Sequence, residues 1–356
     1  MGDEYPKFTA AAIQAAPVFL DRQATIDKAC TLIAEAASNG ARLIVFPETW
    51  VPAYPFWIAT PQIFSAVAFV ELFKNSVEVP SDATDALCHA AAKARTYVVI
   101  GINERDPESK GSLYNSLLYI DDAGKILGVH RKLMPSFTER TIWGWGDGSG
   151  LHVFDTPLGR LGGLICWEHE MTLVKYALYA KGEQVHASVW PAFSMQNSHI
   201  DFGCRQYAYE GGCFAVVSCG VLLPDTLPQQ FRGPLTQANG GSAIIGPDGE
   251  YLRGPVYDKE EIIYADLDLE AVVRAKYMRD VAGHYARPDV AQLLLNERPQ
   301  RRVVSGDAPL AELRARLGEL LGRIDADDAA ASDPDVLASL EELERALAKV
   351  SGAGRS

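Results

Sequence analysis

Cysteine is sparse in this chain, and its spacing excludes several kinds of site. The 356 residues include six cysteines, and no two of them form a C-x-x-C pair, so neither a zinc knuckle nor a thioredoxin-like motif is expected. Cys166 and His169 form an isolated C-x-x-H without a second half-site. A chain of this length does not need disulfides, and reduced thiols fit a cytoplasmic location.

Excess basic charge and long apolar runs are also lacking. The chain has 33 Lys and Arg against 46 Asp and Glu, so its formal net charge is −13. That charge disfavours nucleic acid and anionic membranes as partners, because both attract basic surfaces. No apolar run approaches the roughly 18 residues that indicate a transmembrane helix, and Met1–Pro6 lacks the features of a signal peptide. We therefore expect a cytoplasmic protein that binds neither membrane nor nucleic acid.

What is present is an ordinary globular composition, with 48% hydrophobic and 22% charged residues. Short apolar runs typical of strands alternate with stretches whose apolar residues recur at helical spacing. The predicted strands are 8–16, 43–46, 97–102, 114–120, 125–132, a run ending at 166, 185–190, 214–218, two runs flanking 247–249, and 262–266. The predicted helices are 22–39, 82–95, 170–181 and 198–210. This alternation predicts a layered α/β domain with mixed sheets.

The pattern changes after about residue 290, which divides the chain into a domain at 1–290 and a tail at 291–356. Leucine recurs at helical spacing over 307–324 and again from Leu337 to Leu347, with an Ala- and Asp-rich stretch between. One interpretation is a solvated, partly helical tail, because short isolated helices are only marginally stable in water. The other is a pair of helices that associate between subunits.

The most informative local feature is the segment Gly162–His169, in which an apolar run ends abruptly at Cys166. This pattern predicts a strand that delivers a thiol to the N-terminus of the next element. At such a place the helix dipole and a nearby cation can lower the pKa of the thiol, and the thiolate is the nucleophile. The alternative is a buried structural cysteine, which is the commoner case for an isolated thiol.

Two further charged residues stand at predicted strand ends. Glu48 follows the apolar run at 43–46, and Lys132 ends the run that begins at 125. Taken alone, Glu48 is more often a salt-bridge partner and Lys132 a surface lysine. Together with Cys166 they make a chemical set: a base for the thiol proton, a donor for developing negative charge, and a nucleophile. Such a set can attack a nitrile or an amide carbon.

The same segments resemble the nitrilase superfamily, whose Glu-Lys-Cys triad comes in this chain order. LIVFPE at 43–48, HRKLMP at 130–135 and GGLICWEH at 162–169 are similar to its glutamate, lysine and cysteine motifs. The resemblance is narrower still, to the nitrilase branch, through TERTIWGWGDGSG at 138–150 and DVAGHYARPD at 280–289. Five motifs in family order are far more specific than any one of them.

This resemblance implies a four-layer αββα sandwich and a reaction that needs neither metal nor cofactor. It implies that Cys166 is the nucleophile, Glu48 the general base and Lys132 the group that stabilises developing charge. Glu139 would hold Lys132 and orient water. The substrate would be a small nitrile, converted to a carboxylic acid and ammonia with an amide as by-product. The family also implies a homo-oligomer, often a spiral filament.

Aromatic and neighbouring residues near these strand ends are predicted to shape a substrate pocket. An aromatic cluster is more often core than pocket, but these follow the catalytic strand ends closely. The predicted pocket residues are Trp50, Tyr54, Trp167, His169, Trp190 and Pro191.

Other functions stay open at this point. An amidase or carbamoylase of the same superfamily is disfavoured by the segments at 138–150 and 283–289. A cyanide-converting enzyme is mildly disfavoured by the aromatic residues. A non-catalytic assembly protein would not require all four candidate residues, and a cysteine protease would need a histidine in a separate motif, which no histidine here provides.

Overall fold

Two units make up the chain, Met1–Pro299 and Gln300–Ser356. The computed structural model describes residues 4–58, 62–223, 225, 227, 238–300, 303, 313, 315–322 and 333–352. Both sheets lie in the first unit, and so does every residue predicted for the active site. The assignment of a catalytic domain to 1–290 and of an assembly role to the tail stays a prediction.

The first sheet is mixed and contains the N-terminal strand. Its strands are β1 (Lys7–Gln14), β2 (Ala41–Val45), β3 (Tyr97–Arg105), β4 (Leu113–Ile120), β5 (Ile126–Arg131) and β12 (Glu261–Asp268). Their order is β12-β1-β2-β3-β4-β5. The neighbours β1, β2 and β3 are parallel, and the other pairs are antiparallel.

The second sheet repeats this plan. Its strands are β6 (Phe154–Thr156), β7 (Gly159–Ile165), β8 (Val185–Trp190), β9 (Phe214–Cys219), β10 (Gly240–Ile245) and β11 (Tyr251–Tyr257). Their order is β11-β10-β9-β8-β7-β6. Here β7, β8 and β9 form the parallel centre, with antiparallel strands outside it.

Helices cover the outer face of each sheet. The helices of the first unit are α1 (Arg22–Ser38), α2 (Gln62–Asn75), α3 (Asp82–Ala94), α4 (Thr172–Ala180), α5 (Asn197–Gly211) and α6 (Glu270–Met278); the second unit contains α7 (Pro334–Gly352). Ile26 of α1 and Leu87 of α3 pack against Ile44 of the first sheet. On the second sheet, Leu178 of α4 and Tyr207 of α5 belong to one cluster with Leu164 of β7.

The two sheets face each other through a continuous apolar core. Val99 and Leu117 from the first sheet belong to the same buried cluster as Val189 and Val217 from the second. Side-chain hydrogen bonds also join the sheets: Gln14 Oε1 accepts the N–H of Gly241 and of Ser242, and Ser218 donates to the Ile13 carbonyl. The layers are therefore helix, sheet, sheet, helix, and the predicted αββα sandwich is confirmed.

Most predicted elements of the first unit are confirmed to within three residues at each end. Helix α1 begins as its sequence indicates, because the Asp21 side chain accepts the N–H of Ala24 and caps it. Three elements were not predicted: α2, β6 and α6.

The second unit contains a small apolar cluster of its own. Leu320, Val336 and Leu343 are buried, with Leu313, Leu317 and Leu340 packed against them. The apolar positions of both predicted tail helices thus meet within one chain. Of the predicted helix at 307–324, residues 313 and 315–322 are described and helical; the rest lies outside the described residues. Within the described part of the chain, no helix is long and apolar enough to span a bilayer.

Candidate active site

Three strand ends position the candidate residues. Glu48 follows β2, Lys132 directly follows β5, and Cys166 directly follows β7. The turn that carries Glu48 passes over β3 at Gly101, where a Cβ atom would lie 2.2 Å from the Pro47 carbonyl oxygen. Glycine is required there, because any side chain at position 101 would displace the turn.

The four side chains predicted to be catalytic form one buried cluster. Lys132 Nζ lies 2.9 Å from Glu48 Oε1 and 2.8 Å from Glu139 Oε2. A carboxylate oxygen of Glu48, a carboxylate oxygen of Glu139 and Cys166 Sγ all lie within 4.8 Å of one another. The four residues are 1–3% exposed. The structure thus brings together the residues that the sequence indicated, and their chemical roles are proposed below.

Glu48 presents one occupied and one open carboxylate oxygen. Its Oε1 accepts from Lys132 and, at 2.6 Å, from Asn115 Nδ2. Its Oε2 is buried and has no hydrogen-bond partner among the described residues. Burial raises the pKa of this carboxyl to about 7; the Lys132 ammonium opposes the rise and the Glu139 charge adds to it. Glu48 is therefore a base matched to neutral pH, with an oxygen available to take a proton.

Cys166 occupies a turn with an unusual backbone conformation. Its φ is +53°, in the left-handed region that non-glycine residues seldom adopt, and a short 3₁₀ helix, Cys166–Glu170, begins at this residue. Burial raises the pKa of the thiol well above its ordinary value, and the Lys132 ammonium and the Trp167 N–H do not offset it. The expectation that the thiol is acidified is therefore wrong: the desolvated site, with the charges of Glu48 and Glu139, favours the protonated sulfur.

Glu139 is fixed by three donors. Its Oε2 accepts from Lys132 and from the Ser136 N–H at 2.7 Å, and its Oε1 accepts from the Tyr54 hydroxyl at 2.8 Å. Burial lowers the pKa of Lys132, but its electrostatic interactions with Cys166, Glu139 and Glu48 outweigh that effect and raise the pKa well above its ordinary value. Lys132 is therefore a permanent cation held between two carboxylates.

Glu168 is a site residue that sequence reasoning missed. Its carboxylate accepts the N–H of Ile165 and the N–H of Leu133, both at 2.8 Å, and contacts His130 Nε2 at 2.9 Å. Although burial raises its pKa, His130 and the two backbone donors lower it below the ordinary value. Glu168 therefore ties the residue before Cys166 to the residue after Lys132. Its position two residues after Cys166 was the available signal.

Two of the predicted pocket residues lie beside the cluster. Tyr54 donates to Glu139, and its ring makes edge contacts with Trp143 and Phe193 at centroid distances of 5.4 Å. Trp167 follows Cys166 directly and is 43% exposed. An aromatic, apolar wall therefore stands on the Tyr54 side of the charged cluster.

The other predicted pocket residues are buried elsewhere. The Trp50 indole donates to the Ala15 carbonyl at 2.6 Å and packs in the core between the first sheet and its helices, so the structure does not bring it to the cluster. His169 and Trp190 stack on each other behind Cys166, with ring centroids 5.0 Å apart, and Pro191 is buried next to Trp190. Substrate contact by these residues stays a prediction.

The carboxylates and the thiol of the cluster are also groups that can ligate metals. Here Lys132 Nζ lies within hydrogen-bond distance of both Glu48 and Glu139. Its ammonium supplies the positive charge that the two carboxylates require, so the chain's own residues complete the site. A reaction without metal or cofactor stays a prediction.

Comparisons with known proteins agree with this geometry. Residues 9–277 match the carbon-nitrogen hydrolase family. A nitrilase of Pseudomonas syringae pv. syringae is 42% identical over 327 residues, covering 87% of this chain and 96% of the relative. A bifunctional nitrilase/nitrile hydratase of Nicotiana tabacum is 41% identical over 322 residues, covering 83% and 89%. The solved NitFhit protein of C. elegans shares the fold, with a TM-score of 0.68 at 19% identity over 84% of this chain and 70% of that one.

Proposed function

Because the chain belongs to the carbon-nitrogen hydrolase family and to its nitrilase branch, we infer that it is a nitrilase that hydrolyses an organic nitrile to a carboxylic acid and ammonia. The observation that carries this proposal is the buried cluster in which a carboxylate oxygen of Glu48, a carboxylate oxygen of Glu139 and the Cys166 sulfur lie within 4.8 Å of one another. In this cluster Glu48 Oε2 has no hydrogen-bond partner among the described residues. A base, a cation and a thiol are the groups that addition to a carbon–nitrogen triple bond requires.

The first step forms a carbon–sulfur bond. Because the thiol is protonated in the resting site, Glu48 takes its proton as the sulfur of Cys166 attacks the nitrile carbon. Glu48 then passes that proton to the nitrile nitrogen, which becomes the N–H of a thioimidate. A base whose pKa is about 7 can both accept and return the proton near neutral pH.

Two water molecules complete the reaction. The first adds to the thioimidate carbon and gives its proton through Glu48 to nitrogen, which makes a tetrahedral intermediate. The hydroxyl proton of this intermediate passes to nitrogen as the carbon–nitrogen bond breaks, which releases ammonia and leaves a thioester. The second water cleaves the thioester, releases the acid and restores the thiol. If the tetrahedral intermediate breaks its carbon–sulfur bond instead, the hydroxyl proton passes to sulfur and an amide leaves, which accounts for a by-product.

Lys132 and Glu139 act on the charge that these steps create. Negative charge develops on nitrogen and then on oxygen, and a fixed ammonium beside it stabilises the transition state by about 3 to 4 kcal/mol, the scale of one preorganised donor. Glu139 holds Lys132 in place through its 2.8 Å contact. The backbone N–H of Trp167 faces the sulfur of Cys166 and is placed to act as a second donor.

The aromatic wall favours an organic nitrile over inorganic cyanide. The rings of Tyr54, Phe56, Trp143 and Phe193 form edge contacts or tilted pairs on one side of the site. Such a surface stabilises the carbon skeleton of a substrate through burial of apolar area, and cyanide has no such skeleton.

A turnover screen tests the proposal. Aliphatic, arylaliphatic and aromatic nitriles, their matching amides and cyanide are assayed for ammonia, acid and amide. We expect acid and ammonia from at least one organic nitrile, and loss of that activity in Cys166→Ala. Cys213→Ala is the matched control, because Cys213 is an equally buried free thiol packed against α4. Ammonia release at the wild-type rate by Cys166→Ala would remove the nucleophile assignment, and turnover of amides or cyanide alone would replace the substrate class.

We also propose that the protein is a cytoplasmic homo-oligomer that forms spiral filaments. Exposed apolar side chains on α4, α5 and α6 support association: Leu173, Phe202 and Tyr277 are 68%, 64% and 81% exposed. All six cysteines are free, which fits a reducing compartment. Light scattering with negative-stain microscopy, and fractionation of the source cells, test the two statements. A monomer in solution would refute the first, and recovery from the exported fraction the second.

A further inference from the structure

A second buried polar network lies behind the nucleophile and takes no part in the mechanism above. It runs from Glu183 through His186 and His169 to the backbone of Cys166. Glu183 Oε1 lies 2.8 Å from His186 Nδ1, His186 Nε2 lies 3.0 Å from His169 Nε2, and His169 Nδ1 lies 2.6 Å from the Cys166 carbonyl oxygen. The three side chains are at most 1% exposed.

Which group donates at each step of this network follows from its last contact, between His169 and the Cys166 carbonyl. A carbonyl oxygen only accepts, so His169 must donate from Nδ1. Burial, and then His186, lower the pKa of His169 well below its ordinary value, so the ring is neutral. A neutral imidazole has one N–H, and its Nε2 therefore carries a lone pair toward His186.

The lone pair on His169 Nε2 determines which nitrogen of His186 must carry a hydrogen. His186 Nε2, 3.0 Å away, must carry hydrogen, because two lone pairs at that distance repel. The Ser188 hydroxyl, 2.9 Å from His169 Nε2, does not remove the requirement, since it would still leave the His186 lone pair facing His169. With Nε2–H fixed, the remaining contact between His186 and Glu183 also needs a hydrogen, on Nδ1 or on the carboxyl.

We propose that the pair formed by Glu183 and His186 carries one extra proton, relative to an ionised carboxylate next to a neutral imidazole. This extra proton makes His169 a positioning residue for Cys166. The pair then fixes the His169 tautomer, and His169 fixes the Cys166 carbonyl at the turn where φ is +53°. The sulfur is thereby held toward Glu48. This role rests on the proposed function only for its effect on turnover.

The surroundings of Glu183 are built to hold it. The Tyr207 hydroxyl donates to Glu183 Oε2 at 2.5 Å, and the Tyr207 ring stacks on His186 at 3.8 Å between centroids. A Cβ atom at Gly162 would lie 2.2 Å from Glu183 Oε1. Glycine at position 162 therefore leaves room for the carboxyl group of Glu183 at the end of this network.

Solid-state ¹⁵N NMR of protein labelled in its histidine rings reads the hydrogens directly. The seven histidines are resolved by comparison with His169→Asn and His186→Leu. We expect hydrogen on His169 Nδ1, none on His169 Nε2, and hydrogen on His186 Nε2. His186 Nε2 without hydrogen would overturn the proposal. This measurement needs no substrate, so it stands even if the protein hydrolyses no nitrile.

Kinetics test the positioning role. His186→Leu cannot donate to His169, and we expect kcat to fall about 10- to 100-fold with KM unchanged, because the network touches no substrate. Glu183→Gln should retain kcat, since its amide N–H can donate to His186 Nδ1 and preserve the direction of the chain. Tyr179→Phe is the matched control: its hydroxyl bonds the Tyr207 carbonyl in the same layer, outside the network, and it should leave kcat unchanged.

Alkylation of Cys166 by iodoacetamide, followed by mass spectrometry of its peptide, gives a second readout that is independent of the nitrile. The rate should fall in His186→Leu and stay at the wild-type value in Glu183→Gln and Tyr179→Phe. A His186→Leu protein whose alkylation rate and kcat both match the wild type would overturn the positioning role. A fall in Tyr179→Phe equal to that in His186→Leu would do the same, because it would mark a general packing effect.

Discussion

Ionisation of the buried Glu48 carboxyl is predicted to lower the stability of the folded protein. Its burial raises its pKa from 4.5 to about 7, whereas the unfolded chain keeps the ordinary value. Between those two values the folded state binds more protons than the unfolded state, so the free energy of unfolding falls as the pH rises. Glu48→Gln removes the ionisation and keeps the shape.

The magnitude follows from the same two pKa values. Each pH unit of difference is worth about 1.4 kcal/mol, so ionisation of Glu48 lowers the free energy of unfolding by about 2 to 3 kcal/mol between pH 5 and pH 8. We expect the free energy of unfolding of Glu48→Gln, relative to that of the wild type, to increase by this amount between pH 5 and pH 8. Its turnover should fall by several orders of magnitude.

Urea unfolding at pH 5 and at pH 8, with a fixed protomer concentration, measures the effect for both proteins. The comparison across pH cancels any packing change that the substitution introduces. The same pair of measurements in a Cys166→Ala background is the control, because burial of Glu48 does not depend on the thiol. If the free energies of unfolding of Glu48→Gln and wild type differed by the same amount at pH 5 and at pH 8, ionisation of Glu48 would not destabilise the folded protein, and the prediction would be wrong.

Three further outcomes are expected. The acid limb of kcat/KM should have its midpoint near pH 7, because Glu48 must be ionised to take the thiol proton; a midpoint near 4.5 in initial-rate measurements would contradict this. Tyr54→Phe leaves Glu139 Oε1 without its donor, so we expect a loss of about 1 to 3 kcal/mol in urea unfolding and about a tenfold lower kcat; unchanged values in both assays would exclude the contact. Glu168→Gln sets an amide N–H₂ against the Ile165 or the Leu133 N–H, so kcat should fall about 100-fold; full activity in a folded variant would show that Glu168 does not position the site.

Strand ends could be predicted from the sequence because apolar runs report local burial. The run at 43–46 and the strand at 185–190 were located to within two residues, and the residues that follow such runs were the ones the fold brings together. Helix α2 was not predicted because apolar residues occupy most of its positions between Ile63 and Phe73, so that they show no helical period. Strand β6 has three residues, too few for any pattern.

The remaining site features depend on distances that no sequence pattern contains. The raised pKa of Cys166 results from burial and from two carboxylates that come from other segments, so the strand-end position alone indicated the opposite direction. Trp50 follows Glu48 by two residues, yet the turn between them sends its indole to the Ala15 carbonyl. Glu183 and His186 have no recognisable pattern in the local sequence, because their link to Cys166 passes through His169.

Cys166 and Glu48 follow strands of different sheets. Glu48 and Lys132 leave the first sheet and Cys166 leaves the second, and the two sheets are joined by side chains such as Gln14 and Ser218. The distance between the Cys166 sulfur and the Glu48 carboxylate therefore depends on how the two sheets pack against each other. If one sheet slid slightly over the other, this distance would increase, although the hydrogen bonds within each sheet would stay intact. Substitutions in the core between the sheets, such as those at Leu117 or Val189, can therefore abolish turnover in a protein that still folds. Engineering of this protein for new substrates has to preserve the packing between the two sheets.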